Sequence, residues 1–162
     1  MQIWKIWAPI TGLLVIGTVA AMVWTLAERE ADESAGPEMV VYKTEACGCC
    51  NVWVDHVIDA GFSVSAHDIS HRELNEKKQE VGLDFSLASC HTAFIEGYAI
   101  EGHVPAEEIL RLLEERPSVA GLTVPGMPIG SPGMEQGDRR DAYHVLAFQP
   151  DGSTTIYASY HQ

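Results

Sequence analysis

Apolar residues along this chain fall into one long block followed by short, regularly punctuated runs. Residues 6–27 (IWAPITGLLVIGTVAAMVWTLA) carry no charged side chain and lie between Lys5 and an acidic run opening at Glu28. A helix of this length, rising about 1.5 Å per residue, spans a bilayer core of roughly 30 Å. A buried helix of a soluble domain is the plain alternative, and beside it two export readings stay open. Residues 1–27 are either an uncleaved membrane anchor or a signal peptide removed after Thr25-Leu26-Ala27. Both export everything that follows, because the positive charge precedes the block and only Arg29 follows it closely. Residues 28–38 (EREADESAGPE) are polar, lack periodicity and contain Gly-Pro, which predicts a flexible acidic stalk.

The remainder, residues 39–162, reads as one domain. Residues 39–44 (MVVYKT) form a β-prone run, and from Cys49 the apolar positions Val52, Trp53, Val57 and Ile58 recur at helical spacing until Gly61. Phe62, Val64 and Ala66 alternate with polar residues as a second strand. Ser70 with Glu73 is a capping-box pattern that opens a polar helix running to about Val81. Residues 92–95 and 98–101 are strand-like around the turn signal Glu96-Gly97, and so predict a hairpin. Pro105 starts a helix over residues 106–116, with Ile109, Leu112 and Leu113 on one face, and Pro117 stops it. Residues 118–140 are rich in Gly and Pro and read as loop. A second hairpin, residues 143–148 and 154–158, flanks Pro150-Asp151-Gly152.

Strand, helix, strand, helix, hairpin, helix is an α/β order. It matches a thioredoxin-like domain carrying an extra C-terminal β-hairpin, although many α/β domains share it. In such a domain the first strand-to-helix loop sits at the carboxyl edge of the sheet, where sites form.

Charge narrows the partners. The 162 residues include 23 acidic and 10 basic side chains, a net charge of −13. Such a surface repels nucleic acid, so none is expected as a partner.

The four cysteines then direct attention to the first loop. Cys47-Gly48-Cys49-Cys50 occupies it, while Cys90 stands just before the third strand. An exported domain with four cysteines invites two disulfides, but three cysteines within four positions argue against that pairing. A helix N-terminus carries partial positive charge and stabilises thiolates, and thiolate is the soft ligand of Cu(I). Three adjacent thiols suit a soft metal better than a redox pair, which needs two. In thioredoxin-like folds the loop holding Cys90 lies beside the first loop and usually carries a cis-proline. Here no proline occurs between residues 81 and 104, and Cys90 takes that place as a candidate fourth sulfur. A buried, inert cysteine is the plain alternative.

Taken together, Cys47-Gly48-Cys49-Cys50, Ser89-Cys90-His91-Thr92, residues 97–105 (GYAIEGHVP) and residues 125–135 (PGMPIGSPGME) resemble the bacterial CopG-type copper-resistance proteins, a domain family of unknown function. The resemblance runs from about Met39 to Ser159. It implies a thioredoxin-like fold, a periplasmic location and several copper ions bridged by cysteine sulfurs, with Cys47, Cys49, Cys50 and Cys90 as ligands. It also implies a role in copper homeostasis, through storage, delivery or redox interconversion, alongside other periplasmic copper-handling proteins.

Three further candidates stand beside the cysteines. Met127 and Met134, in the Gly/Pro-rich loop, offer soft thioether sulfur, against the plain reading of lid residues. His91 adjoins Cys90, but strand alternation would turn the two side chains apart. His103 is expected to fix a turn or a helix start, and His56, His67, His71, His144 and His161 to be surface or structural. The competing function is a thiol–disulfide oxidoreductase using Cys47 and Cys50. A structural zinc or iron–sulfur site fits the spacing poorly. No arrangement points to a hydrolase or transferase.

Overall fold

The computed structural model describes residues 36–162. The apolar block 6–27 and most of the acidic stalk therefore lie outside the described residues. Among the described residues no helix is long and apolar enough to cross a membrane.

The chain forms β1 (Glu38–Lys43), α1 (Gly48–Asp59), β2 (Ser63–Asp68), α2 (His71–Glu80), a 3-10 turn (Phe85–Leu87), β3 (Thr92–Ile95), β4 (Tyr98–Glu101), α3 (Ala106–Glu115), β5 (Gly121–Thr123), β6 (Tyr143–Phe148) and β7 (Thr154–Tyr160). All seven strands join one mixed sheet in the order β2-β1-β3-β4-β5-β6-β7. β1 and β2 are parallel, as are β4 and β5, with α1 and α3 as the crossovers between them. The other pairs are antiparallel. The α/β class expected from the sequence holds.

Local chemistry explains most boundaries. Ser70 accepts from the Glu73 amide and the Glu73 side chain returns to Ser70, so the capping box fixes the start of α2. Glu96 and Gly97 both take positive φ, 44° and 88°, as a two-residue hairpin turn requires. Pro105 caps α3, and Arg116 closes it in the left-handed conformation before Pro117. The core gathers Met39 and Val41 of β1, Trp53 and Val57 of α1, Ile100 of β4, and Ile109 and Leu112 of α3. On the opposite sheet face, Ala99 packs with Leu83 and Phe148.

Two expectations are corrected. β2 does not bury an alternating face: it is the sheet's edge, and Ala66 is exposed while Val64 is only half buried. Residues 118–140 are not all loop, since β5 fills the slot between β4 and β6. A Cβ at Gly121 would fall 1.8 Å from the Ala99 carbonyl oxygen, so only glycine lets these strands approach.

Register decides where the site forms. Tyr42, near the end of β1, pairs with Thr92 at the start of β3, and Thr92 pairs with Glu101 at the end of β4. Three chain segments thus leave or enter the sheet at one place: residues 44–47, 88–91 and 102–104.

Candidate metal centre

The first segment turns sharply: the Cys47 amide donates to Thr44 and the Gly48 amide to Ala46. Cys47 is the N-cap of α1 and makes no side-chain cap bond, while Cys49 and Cys50 lie in its first turn. Positions i and i+3 share a helix face. Cys47 and Cys50 are accordingly joined by a disulfide with their Cα atoms 5.3 Å apart. The four cysteines do not form two disulfides: there is one bridge, within the loop, while Cys49 and Cys90 stay free.

Cys90 arrives from the second segment. Its Sγ lies 3.4 Å from Cys50 Sγ, and Cys49 Sγ lies 3.7 Å from Cys47 Sγ. All four sulfurs fall within 4.8 Å of one another. The same thiol belongs to a second convergent group with His91 and His103. Its sulfur is 3.4 Å from His91 Nδ1 and 3.1 Å from His103 Nε2.

Both histidines depart from expectation. His91 precedes β3 rather than lying in it, so strand alternation does not turn it away from Cys90. His103 is no mere turn residue. Extending the β3–β4 register two residues beyond the Thr92–Glu101 pair sets Cys90 opposite His103. That register was readable from the Glu96-Gly97 turn, and it is the signal that could have found this residue.

Burial tunes these groups. His91 is fully buried against Trp53, their ring centres 4.3 Å apart, and the Trp53 indole is fixed by its bond to the Val104 carbonyl. Burial, then the neighbouring His103 and Lys78, holds the His91 imidazole well below its usual pKa. His103 is also lowered, chiefly by burial, against the pull of the Pro132 carbonyl. Because that carbonyl can only accept, His103 Nδ1 carries the proton across their 2.8 Å contact, and a neutral ring then turns its Nε2 lone pair toward Cys90. Burial, reinforced by Cys49, pushes the Cys90 thiol up to about 12. A metal binding there must displace a proton, and His103 Nε2 presents a neutral lone pair at the same point.

The Gly/Pro-rich loop closes over this place. The Gly126 amide donates to Ala88, and Ser89 Oγ donates to the Gly126 carbonyl. Gly133 packs so tightly on α1 that a Cβ there would sit 2.8 Å from the Cys49 carbonyl oxygen and 2.9 Å from the Trp53 nitrogen. Of the loop methionines, Met134 follows Gly133 and is half buried, whereas Met127 is half exposed at 51 %. His56, expected to be structural, accepts from the Ala106 amide at the start of α3.

Comparison with known proteins adds the family context. A family model described as "Protein of unknown function, DUF411" matches residues 87–134. Two solved structures described as copper resistance protein CopG, forms 1 and 2, are similar along most of the chain. Each is 42% identical, covers 78% of this chain and 99% of its own, and superposes with a TM-score of 0.73. No curated protein matches.

Proposed function

The chain belongs to the CopG-like copper-resistance family, and from that premise we propose that it holds Cu(I) ions as cargo in a thiolate site built by Cys47, Cys49, Cys50 and Cys90. One observation carries the reading: four sulfurs lie within 4.8 Å of one another at a helix N-terminus, and reduction of the one bridge among them frees all four as thiols. Cysteine thiolates are soft donors that prefer Cu(I), and a thiolate can bridge two metals where a single Cu(I) needs two or three donors. His91 and His103 supply neutral nitrogen at the Cys90 end, and Met134 is a thioether candidate in the closing loop. Met127, half exposed, is the weaker of the two methionines.

The expected result is more than one Cu(I) per chain in an anaerobic titration of the reduced protein against a chelator of known affinity. A plateau at one copper, or no uptake, would sink the multinuclear reading.

The architecture proposed for this site is thioredoxin-like. The strand order β2-β1-β3-β4 with the cysteine loop between β1 and α1 supports it, and β5 to β7 extend the sheet. The same cysteines support a second reading, thiol–disulfide exchange, because Cys47 and Cys50 are already bridged at a helix N-terminus.

We place the domain in the periplasm, tethered to the inner membrane by residues 1–27 or released if they are cleaved. The support is the uncharged block 6–27 with Lys5 before it and acidic residues after it. Alkaline phosphatase fused after Gln162 is expected to be active, since it folds only where its disulfides form. An inactive fusion with a bright green fluorescent protein counterpart would overturn the location.

A further inference from the structure

The polar helix α2 buries two side chains, and one of them is a charge: Lys78, only 3 % exposed. It reaches Glu101, fully buried at the end of β4, and forms an ion pair shielded from solvent. The Glu101 carboxylate accepts three hydrogen bonds, two of them from residues that flank the candidate metal centre. Its Oε1 accepts from Lys78 Nζ and from the Ser89 amide at 2.6 Å, and its Oε2 accepts from Thr92 Oγ1 at 2.7 Å. Thr92 Oγ1 in turn accepts from Lys78 Nζ at 3.0 Å.

A buried pair of this kind is a poor route to stability, because desolvation offsets most of the attraction. Its geometry suggests another use. Ser89 immediately precedes Cys90, Thr92 follows His91, and Glu101 lies two residues before His103. Glu101 therefore grips both sides of the Cys90–His91 segment from the strand that carries His103. The Gly102 amide completes the clamp by donating to the His91 carbonyl.

We propose that Glu101, its buried charge balanced by Lys78, is a positioning residue that fixes the Cys90 thiol against Cys50 and His103. The inference rests on the thiolate-site reading, and goes beyond it by assigning the buried pair a function in the site. The carboxylate touches no sulfur; it acts through the Ser89 amide. Outer contacts of this kind orient ligands, and their loss typically weakens metal binding by roughly 10- to 100-fold.

Two double variants separate positioning from charge. Lys78→Met with Glu101→Gln removes both charges but keeps a side-chain oxygen to accept from Ser89. Lys78→Met with Glu101→Leu removes that acceptor as well. In the reduced, full-length chain, the glutamine variant is expected to bind Cu(I) within about two-fold of the unaltered protein, and the leucine variant at least about ten-fold more weakly. Alkylation of Cys90 in the copper-free protein, followed by peptide mass spectrometry, should be faster by a similar factor in the leucine variant alone. Equal behaviour of the two variants in alkylation, or wild-type copper affinity and alkylation in the leucine variant, overturns the proposal. If the unaltered chain takes up no copper, the thiolate-site reading fails instead, and the alkylation contrast alone decides whether Glu101 positions Cys90. Should the leucine variant not fold, hydrogen exchange in the unaltered protein serves: a Ser89 amide exchanging as fast as free loop amides overturns the clamp.

Discussion

Replacing Cys90 with serine is expected to weaken Cu(I) binding by more than about 100-fold, beyond the range typical of an outer contact, and nearly as much as Cys49→Ser. Cys90 is the one side chain shared by both convergent groups, facing Cys50 Sγ at 3.4 Å, His91 Nδ1 at 3.4 Å and His103 Nε2 at 3.1 Å. Serine keeps the shape and can exchange hydrogen bonds with the same imidazoles, so the fold should survive with little change in Tm. What it removes is the soft donor: a hydroxyl is a hard, protonated oxygen at neutral pH and a poor partner for Cu(I). Competition with a Cu(I) chelator under anaerobic conditions, alongside thermal unfolding of the copper-free protein, separates the two effects. Unchanged affinity and stoichiometry would reduce Cys90 to a half-buried packing residue and leave a site confined to the first loop.

The sequence showed the elements around this site because their signals are local. The capping box at Ser70 and Glu73, the turn at Glu96-Gly97 and the proline before α3 each act within a few residues. It missed what depends on partners far along the chain. β5 has three residues and no periodicity to display, and its place comes from the gap between β4 and β6. β2 alternates in sequence, yet as an edge strand it has little covering its Ala66 side. The cysteines were legible as a cluster because three fall within four positions and the fourth stands where the third strand begins. His103 was hidden because its role depends on register, and Lys78 because a charge in a polar helix looks solvated until Glu101 is found beneath it. The single bridge between Cys47 and Cys50 follows from the proximity of i and i+3 side chains, which a count of cysteines does not display.

That bridge makes the second large effect a redox one. With Cys47 and Cys50 joined, two of the four sulfurs are no longer thiolates, and Cys49 and Cys90 are the free thiols left. Oxidised protein is therefore expected to take up Cu(I) with affinity lower by about 100-fold or more, because two thiolates are lost together and disulfide sulfur is a far weaker donor than thiolate. Reduction consumes two electrons and two protons from an added dithiol, returns two thiols and should restore the full copper load. Equal loading of both forms would show that Cys47 and Cys50 are not ligands. The same pair of cysteines also decides between the two readings of the site. A thiol–disulfide oxidoreductase needs Cys47 and Cys50 and no third thiol in the loop, so Cys49→Ser should reduce insulin at the unaltered rate. A copper site that uses all four sulfurs loses a ligand in that variant, whatever its exchange activity. Full insulin reduction by Cys49→Ser with undiminished copper binding would assign this loop to thiol–disulfide exchange; weak or absent reduction with loss of copper assigns it to the metal.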